Sequence, residues 1–414
     1  MRVLLSAYAC EPGKGSEPGV GWRWAKGMAE RVDLQVLTRE SNREVIETAI
    51  RDLPEGDPLK QAGFLYHDLS KPWLWAKRRG WLPTSAYYAL WQWSVAQRFG
   101  ALADEADVVH HLTFCTLLCP GFWRLRRAAY VLGPVGAPQV NPHYLPLFGS
   151  KAWLQRIRGW VLIRFLHLPW LRRLLTSAAA VVPANSETRG LLISQGIQPR
   201  DVMLDTGTPE APVPSPRDAR QGKIKLMYAG QLERRKGLEL SLRALAQVSA
   251  GGACDWSFEI FGTGPDRLRL SALAQEMGIA ERVNFHGAVP QAEVMGHFHT
   301  ADAFLFTSVR DTSGGVNLEA MAHGLPVICI AHQGVGDITD ESCAERIAAG
   351  PIPETINGLA HAIIRLANDP ARRTTMGSAG AKRAREQFSW EEKFTRMSGH
   401  YREAITQLPA ARIR

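Results

Sequence analysis

The sequence predicts an α/β protein made of two doubly wound parallel-sheet domains that face each other across a cleft. Three observations carry this expectation. The chain has 414 residues, more than one hydrophobic core usually supports, so two domains of roughly 200 residues are expected. Short apolar runs alternate with longer helical segments along most of the length. The alternation breaks at residues 207–222, GTPEAPVPSPRDARQG, whose four prolines and polar residues read as an interdomain linker. The expected division is therefore a first domain over 1–206, a second over 223–385, and a C-terminal helix within 386–414 packing back on the first domain.

In the first domain RVLLSAY (2–8) reads as a buried strand, a glycine-rich loop follows, GWRWAKGMAE (21–30) is helical and DLQVLT (33–38) is a second strand. ADVVHHL, AAYVLG, SAAAVVPA and DVML (201–204) are further strand candidates. The second domain begins with KIKLMYAG (strand), then GLELSLRALAQV (helix, with Leu238, Leu242 and Leu245 on one face), SFEIFGTG (strand), PDRLRLSALAQEMG (helix) and RVNFHG (strand). It continues with QAEVMGHFHT (helix), ADAFLFTS (strand), LEAMAHG (318–324, helix) and PVICI (strand). Sheets of this kind bind ligands at the carboxyl ends of their strands, which directs attention to the loops that leave them.

The net charge of +9 is unevenly spread. Residues 1–200 carry 25 Lys and Arg against 15 Asp and Glu, while residues 201–414 carry 24 against 25. Residues 108–186 hold nine basic residues and no acid, and 11 of the 13 tryptophans lie before position 200, an asymmetry that speaks to partners rather than to fold. Six scattered cysteines suit a reducing compartment, and Cys115 with Cys119 lacks the second pair a zinc site would need. The N-terminus has too short an apolar run for a signal peptide, and no stretch is long and apolar enough to span a bilayer, so a cytoplasmic location is expected.

The chemistry concentrates in SVRDTSGGVNLEAMAHGLPV (308–327). A strand ends, a glycine loop follows and a helix begins, so the amides of Gly314, Gly315, Val316 and Asn317 are expected to lie unpaired at a helix N-terminus that suits a phosphate. Asp311 and Glu319 flank that point and, as acceptor-only groups, suit the hydroxyls of a sugar and a ribose. Spacing alone would leave them as a turn residue and a helix-start preference. The other loops strengthen the reading: AGQLERRKG places Lys236 beside Arg234 and Arg235 at the same sheet edge, where a cation can neutralise a diphosphate. FGTGPD (with Gly264) and FHGAVP (His286, Gly287) are further glycine turns after strands, able to bring backbone to a nucleobase or phosphate.

Taken together, AGQLERRKG, FGTGP, RVNFHGAVP and SVRDTSGGVNLEAMAHGLPVICIAHQGVGD resemble the donor-binding domain of retaining glycosyltransferases of family 4, which have the GT-B fold. The resemblance implies that Glu319 binds the ribose of a nucleotide sugar, Asp311 holds hydroxyls of the transferred sugar, Lys236 holds the diphosphate, and the Gly314–Asn317 amides touch the sugar and distal phosphate. Two departures stand out. The family usually has Glu where this chain has Asp311, and Arg where it has Gln231, so Arg234 or Arg235 would supply the missing charge.

In the first domain ACEPGKGSEPGVGWRWA does not match the dinucleotide fingerprint, which disfavours a nicotinamide enzyme. The resemblance implies that Gly15, Ser16 and Glu17 reach the donor phosphate across the cleft. His110 and His111 end a strand at the cleft edge, where one packed and one exposed ring is the commoner arrangement; the resemblance implies that they are candidate catalytic residues. KPWLWAKRRGW (71–81) and KAWLQRIRGWVLIRFLHLPWLRRLL (151–175) interleave cations with aromatic and aliphatic residues. An anionic membrane surface met by Lys77, Arg78, Arg79, Arg156, Arg158 and Arg164 is favoured over core packing of the tryptophans. Nucleic acid is disfavoured, because no nucleic-acid motif accompanies the patch.

The expected enzyme is thus a retaining glycosyltransferase that moves a sugar from a nucleotide-diphosphate sugar to a hydroxyl of a glycan or lipid-linked acceptor in cell-surface polysaccharide synthesis. It would work without cofactor or metal, peripheral to the inner face of the plasma membrane. A nucleotide-sugar epimerase of similar fold and a non-catalytic nucleotide-binding scaffold of a membrane polysaccharide complex are the alternatives.

Overall fold

A computed structural model describes residues 1–114, 116–137, 140–208 and 221–407. Most of the expected linker (209–220), and the Cys115 half of the cysteine pair, fall outside the described residues. Strands β1 (Arg2–Ser6), β2 (Asp33–Thr38), β3 (Gly63–Tyr66), β4 (Val108–His111), β5 (Ala129–Val135) and β6 (Ala180–Pro183) form one sheet in the order β3-β2-β1-β4-β5-β6. Strands β7 (Lys223–Ala229), β8 (Asp255–Phe261), β9 (Val283–Gly287), β10 (Ala303–Phe306), β11 (Val327–Ala331) and β12 (Ala344–Ala348) form the other, in the order β12-β11-β10-β7-β8-β9. Every pairing is parallel.

Parallel strands joined by helical crossovers are covered on both faces, which is why the central strands are continuous apolar runs. All residues of β4, β5, β6 and β10 are buried. The first sheet divides two apolar clusters: Leu4, Tyr88, Trp91 and Val109 lie in one, and Val3, Leu5, Trp24 and Val108 in the other. Neighbouring residues of β1 and β4 thus point to opposite faces, as strand geometry requires. Leu238, Leu242 and Leu245 are buried in the core of the second domain.

Strand order also sets where a ligand can sit. In each sheet the chain starts at an inner strand and winds outward in both directions, so crossovers diverge between β1 and β4 and between β10 and β7. Loops leaving the carboxyl ends at such a point open a crevice. In the second domain these are the loops that carry Lys236 and Asp311.

The last helix, Trp390–Thr406, returns to the first domain. Its Phe394 packs edge-on against Trp24 at 5.5 Å, and Glu403 pairs with Arg200 at 2.7 Å. Helical and strand order follow the expected alternation, with three differences. The first helix starts at Ser16 rather than Gly21, because Gly15 is extended at its N-cap, Glu17 favours the positive helix end, and Pro18 needs no N–H in a first turn. DVML is not a strand; it runs beside β6 with only Met203 N–H bonded to Pro183 O (2.9 Å) and Arg200 N–H to Val181 O (2.8 Å). The edge strands β3 and β12 were not expected, since the mixed burial of GFLY and the two charges of AERIA blur the apolar signal.

Candidate active site

The loop after β7 and the loop after β10 are joined along their backbones. The Arg235 carbonyl accepts the N–H of Val309 at 2.9 Å and the Ser308 hydroxyl at 3.1 Å. Gly237 makes this possible: it adopts φ +64°, and a Cβ there would lie 2.1 Å from Thr307 O. The joined loops bring Lys236 Nζ onto Asp311 Oδ2 in a hydrogen-bonded ion pair, 13% and 18% exposed. Burial pushes the Asp311 carboxyl up, but the charges of Lys236 and Arg235, the Lys236 hydrogen bond and the Gly314 N–H outweigh it and hold the group ionised, below the usual carboxylate range. Asp311 is further fixed through its own N–H, which donates to Gln333 Oε1 at 2.6 Å.

Eight residues on, Glu319 is in the opposite electrostatic state. It lies in the first turn of the helix Val316–Ala322, and burial raises its carboxyl from 4.5 to about 7 with no cation among the causes. The two acids of the motif therefore differ in kind: one is charged and clamped, the other is buried and available. The glycines between them divide the work differently from expectation. Gly314 adopts φ +62°, a left-handed turn that glycine makes without strain. A Cβ on Gly315 would lie 2.6 Å from the Thr206 methyl, so its small size admits the interdomain segment. Of the four amides, Gly314 N–H donates to Asp311 Oδ1 (3.3 Å) and Asn317 N–H to Gly314 O (2.9 Å), while those of Gly315 and Val316 have no hydrogen-bond partner among the described residues. Asn317 itself is buried, and its Oδ1 has no hydrogen-bond partner among the described residues.

The remaining donor-loop residues support this floor. Gln231 is exposed, and its Oε1 accepts from Arg235 Nη2 at 3.4 Å. Arg235 also pairs with Glu233 at 2.5 Å, while Arg234 pairs with Asp266 at 3.0 Å and donates to Leu147 O at 3.1 Å. A Cβ on Gly264 would meet Leu232 O at 2.3 Å, so the loops after β7 and β8 pack backbone on backbone. His286, beside Gly287, hydrogen-bonds Glu259 at 2.6 Å and stacks on Phe261 at 4.4 Å.

Across the cleft, a Cβ added to Gly15 would meet nothing within 4 Å, so the loop leaves open space there. Ser16 begins the helix, and Glu17 turns inward to accept the Phe114 N–H. Burial and the neighbouring Asp205 raise Glu17 to about 7. Asp205 receives a hydrogen bond from Ser313 at 2.5 Å, and burial likewise raises its carboxyl. Lys393 lies near it, lowered to about 8 mainly by burial. This trio of Glu17, Asp205 and Lys393 was missed as a group, because its members are dispersed in sequence and no spacing links them.

His110 and His111 are not at the cleft edge; both are fully buried, which corrects the expectation of a catalytic pair. His110 bonds Gly133 O at 2.5 Å and the Tyr401 hydroxyl at 2.6 Å, and His111 bonds the Tyr88 hydroxyl at 2.8 Å. Burial lowers them to about 4 and about 3 respectively. They are neutral rings that tie helices to the sheet.

The tryptophan-rich segments divide as well. Trp24 and Trp91 are core residues, but Trp75 and Trp81 are 47% and 73% exposed, and Trp153 and Trp160 are 58% and 64% exposed. Arg78, Arg79, Arg156 and Arg164 are exposed beside them. Lys77 is a correction: it bonds the Tyr8 hydroxyl at 2.9 Å and lies 4.5 Å from the Tyr87 ring, directed inward. Arg158 is exposed on the same helix as Arg156 and Arg164, and its charge also bears on Arg235 and Arg310. Among the described residues no helix is long and apolar enough to cross a membrane, and no group of three or more His, Cys, Asp and Glu could hold a metal ion.

Known proteins resemble this chain in sequence and in fold. Residues 214–383, which span both donor loops, match the family model for glycosyl transferases group 1. A 2-deoxystreptamine glucosyltransferase of Streptomyces kanamyceticus is 25% identical over 298 residues, 67% of this chain and 75% of that protein. A lipopolysaccharide core biosynthesis glycosyltransferase of Rhizobium meliloti is 33% identical over 161 residues, 39% of this chain and only 44% of its own length. In fold, sucrose-phosphate synthase from Thermosynechococcus elongatus superposes with a TM-score of 0.69 at 18% identity, covering 98% of this chain and all (100%) of that one. The two facing six-stranded parallel sheets are the GT-B fold, and the family match together with these relatives supports a GT-B glycosyltransferase.

Proposed function

We propose that the protein is a retaining glycosyltransferase that carries a sugar from a nucleotide-diphosphate sugar to a hydroxyl of a glycan or lipid-linked acceptor in cell-surface polysaccharide synthesis. The observation that carries the reading is the pairing of unlike acids around one glycine turn: Asp311, ionised against Lys236, and Glu319, buried without a cation. A charged carboxylate clamped at a cleft suits hydroxyls of the transferred sugar, and the second suits the ribose. Lys236, the neighbouring arginines and the free amides of Gly315 and Val316 meet the charge that develops on the leaving diphosphate, by electrostatics set in place beforehand. This chemistry runs on protein cations and amides, with neither cofactor nor metal. The lipopolysaccharide relative supports the polysaccharide setting. The exposed tryptophans with Arg156 and Arg164 would hold the enzyme on the anionic inner face of the plasma membrane, near a lipid-linked acceptor.

A thermal-shift screen with nucleoside diphosphates and nucleotide sugars, followed by product analysis with the stabilising donor, tests the reading. A bound donor at 100 times its dissociation constant adds about 2.7 kcal/mol to stability. Stabilisation by at least one nucleotide, with the sugar transferred and its anomeric configuration kept, is expected. No stabilisation by any nucleotide, or an epimerised donor, would refute it.

A further inference from the structure

Arg310 immediately precedes Asp311, yet its side chain leaves the donor loop for the other domain. Its Nη1 donates to Gln155 Oε1 at 2.7 Å, on the helix Ala152–Leu166. Arg158 lies three residues further along that helix, on the same face. From the donor side comes Arg235, whose carbonyl accepts the Arg310 N–H at 3.3 Å. The nearby cations are unequally matched. Arg235 has Glu233 and Lys236 has Asp311, but among the described residues neither Arg310 nor Arg158 forms an ion pair with a carboxylate. Burial lowers Arg310 to about 10, with the like charges of Arg158 and Arg235 adding to it, and Arg158 is lowered by burial and Arg235. Glu233 and Asp311 offset part of this at Arg310, but each is already paired with Arg235 or Lys236, so like charges beside the half-buried Arg310 remain costly and an arriving anion lowers the cost.

We propose that Arg310 and Arg158 form an anion subsite, separate from the donor diphosphate site, that takes a phosphate or carboxylate group of the acceptor. The placement favours the acceptor because Gln155 and Arg158 belong to the first domain, whereas Lys236, Glu319 and the Gly315 and Val316 amides belong to the second. The inference rests on the glycosyltransferase reading for the word acceptor; the anion site itself does not.

The test is titration of inorganic phosphate into the full-length protein, followed by 31P NMR, with and without saturating UDP. Phosphate is expected to bind in both conditions. Arg310→Gln and Arg158→Gln should each weaken it about tenfold or more, with UDP affinity changed by less than about twofold, since a charge-assisted contact is typically worth at least one factor of ten. Because Arg158 is exposed, its variant keeps the test readable if Arg310→Gln fails to fold. Phosphate affinity unchanged in Arg158→Gln overturns the subsite. Phosphate displaced by UDP, or UDP affinity falling in parallel, overturns the acceptor assignment and gives the arginines to the donor. If UDP does not bind at all, the nucleotide reading falls while the phosphate titration still decides the anion site.

Discussion

Gln333 holds Asp311 by the backbone: its Oε1 accepts the Asp311 N–H at 2.6 Å from a residue at φ 48°. A non-glycine residue in the left-handed region carries strain of about 1–3 kcal/mol, which the surrounding bonds sustain. Here those bonds include Gln333 N–H to Glu187 at 3.0 Å, from the other domain. Gln333→Ala is expected to reduce the turnover number by about 10- to 100-fold through loss of Asp311 positioning, with stability lower by about 1 kcal/mol. Steady-state kinetics and nucleotide titration check it; lost nucleotide affinity with normal turnover would assign Gln333 to binding instead.

Lys236 has two tasks that one substitution separates from the rest of the loop. Lys236→Met keeps much of the stem but takes the main counter-charge from Asp311, leaving only Arg235 and the Gly314 N–H to offset it. Unfolding free energy should fall by about 3 kcal/mol, and the Asp311 carboxyl should titrate at higher pH than in the wild type. Denaturant unfolding at pH 7 measures the first effect; an unchanged midpoint would mean that the ion pair contributes little to the unliganded protein.

The pH dependence has a definite sign. Glu319 and Glu17 lie at about 7 when folded, against 4.5 ordinarily. Between those values the native state binds more protons than the unfolded chain, so their contribution to stability falls as pH rises. His110 and His111, at about 4 and about 3 against 6.5, act oppositely over the range from about 4 to 6.5. The difference between Glu319→Gln and wild type removes the histidines. That difference should grow in favour of the variant by about 2–3 kcal/mol from pH 4.5 to 7. A difference flat in pH would place an ordinary carboxyl at 319.

At the surface, Arg156→Gln combined with Arg164→Gln should weaken binding to anionic phospholipid vesicles by about 2 kcal/mol, about thirtyfold, without altering nucleotide affinity. Vesicle sedimentation measures it. Equal binding to zwitterionic and anionic vesicles would remove the membrane from the description.

Much of the candidate site can be drawn from the sequence because its residues sit in contiguous loops after apolar strands. Asp311, Gly314, Glu319 and Lys236 follow β10 and β7, where strand order opens a crevice, so sequence position and spatial position coincide. Legibility failed where function or packing depends on contacts between distant segments. The burial of His110 and His111 depends on Gly133, Tyr401 and Tyr88, and strand alternation cannot reveal that both faces of β4 are covered. Arg158 reads as one more cation on an aromatic helix until the fold sets it beside Arg310. The edge strands β3 and β12 were illegible for a simpler reason, since an edge needs no continuous apolar run.

The division of labour between the two acids is decided by calorimetric titration of the donor nucleoside diphosphate into Glu319→Ala and Asp311→Ala. Affinity should fall about tenfold or more in Glu319→Ala, for loss of the hydrogen bonds that join its carboxyl to the ribose hydroxyls. It should stay within about twofold of wild type in Asp311→Ala, which no longer transfers sugar. Weakened binding in Asp311→Ala with normal binding in Glu319→Ala would contradict the assignment.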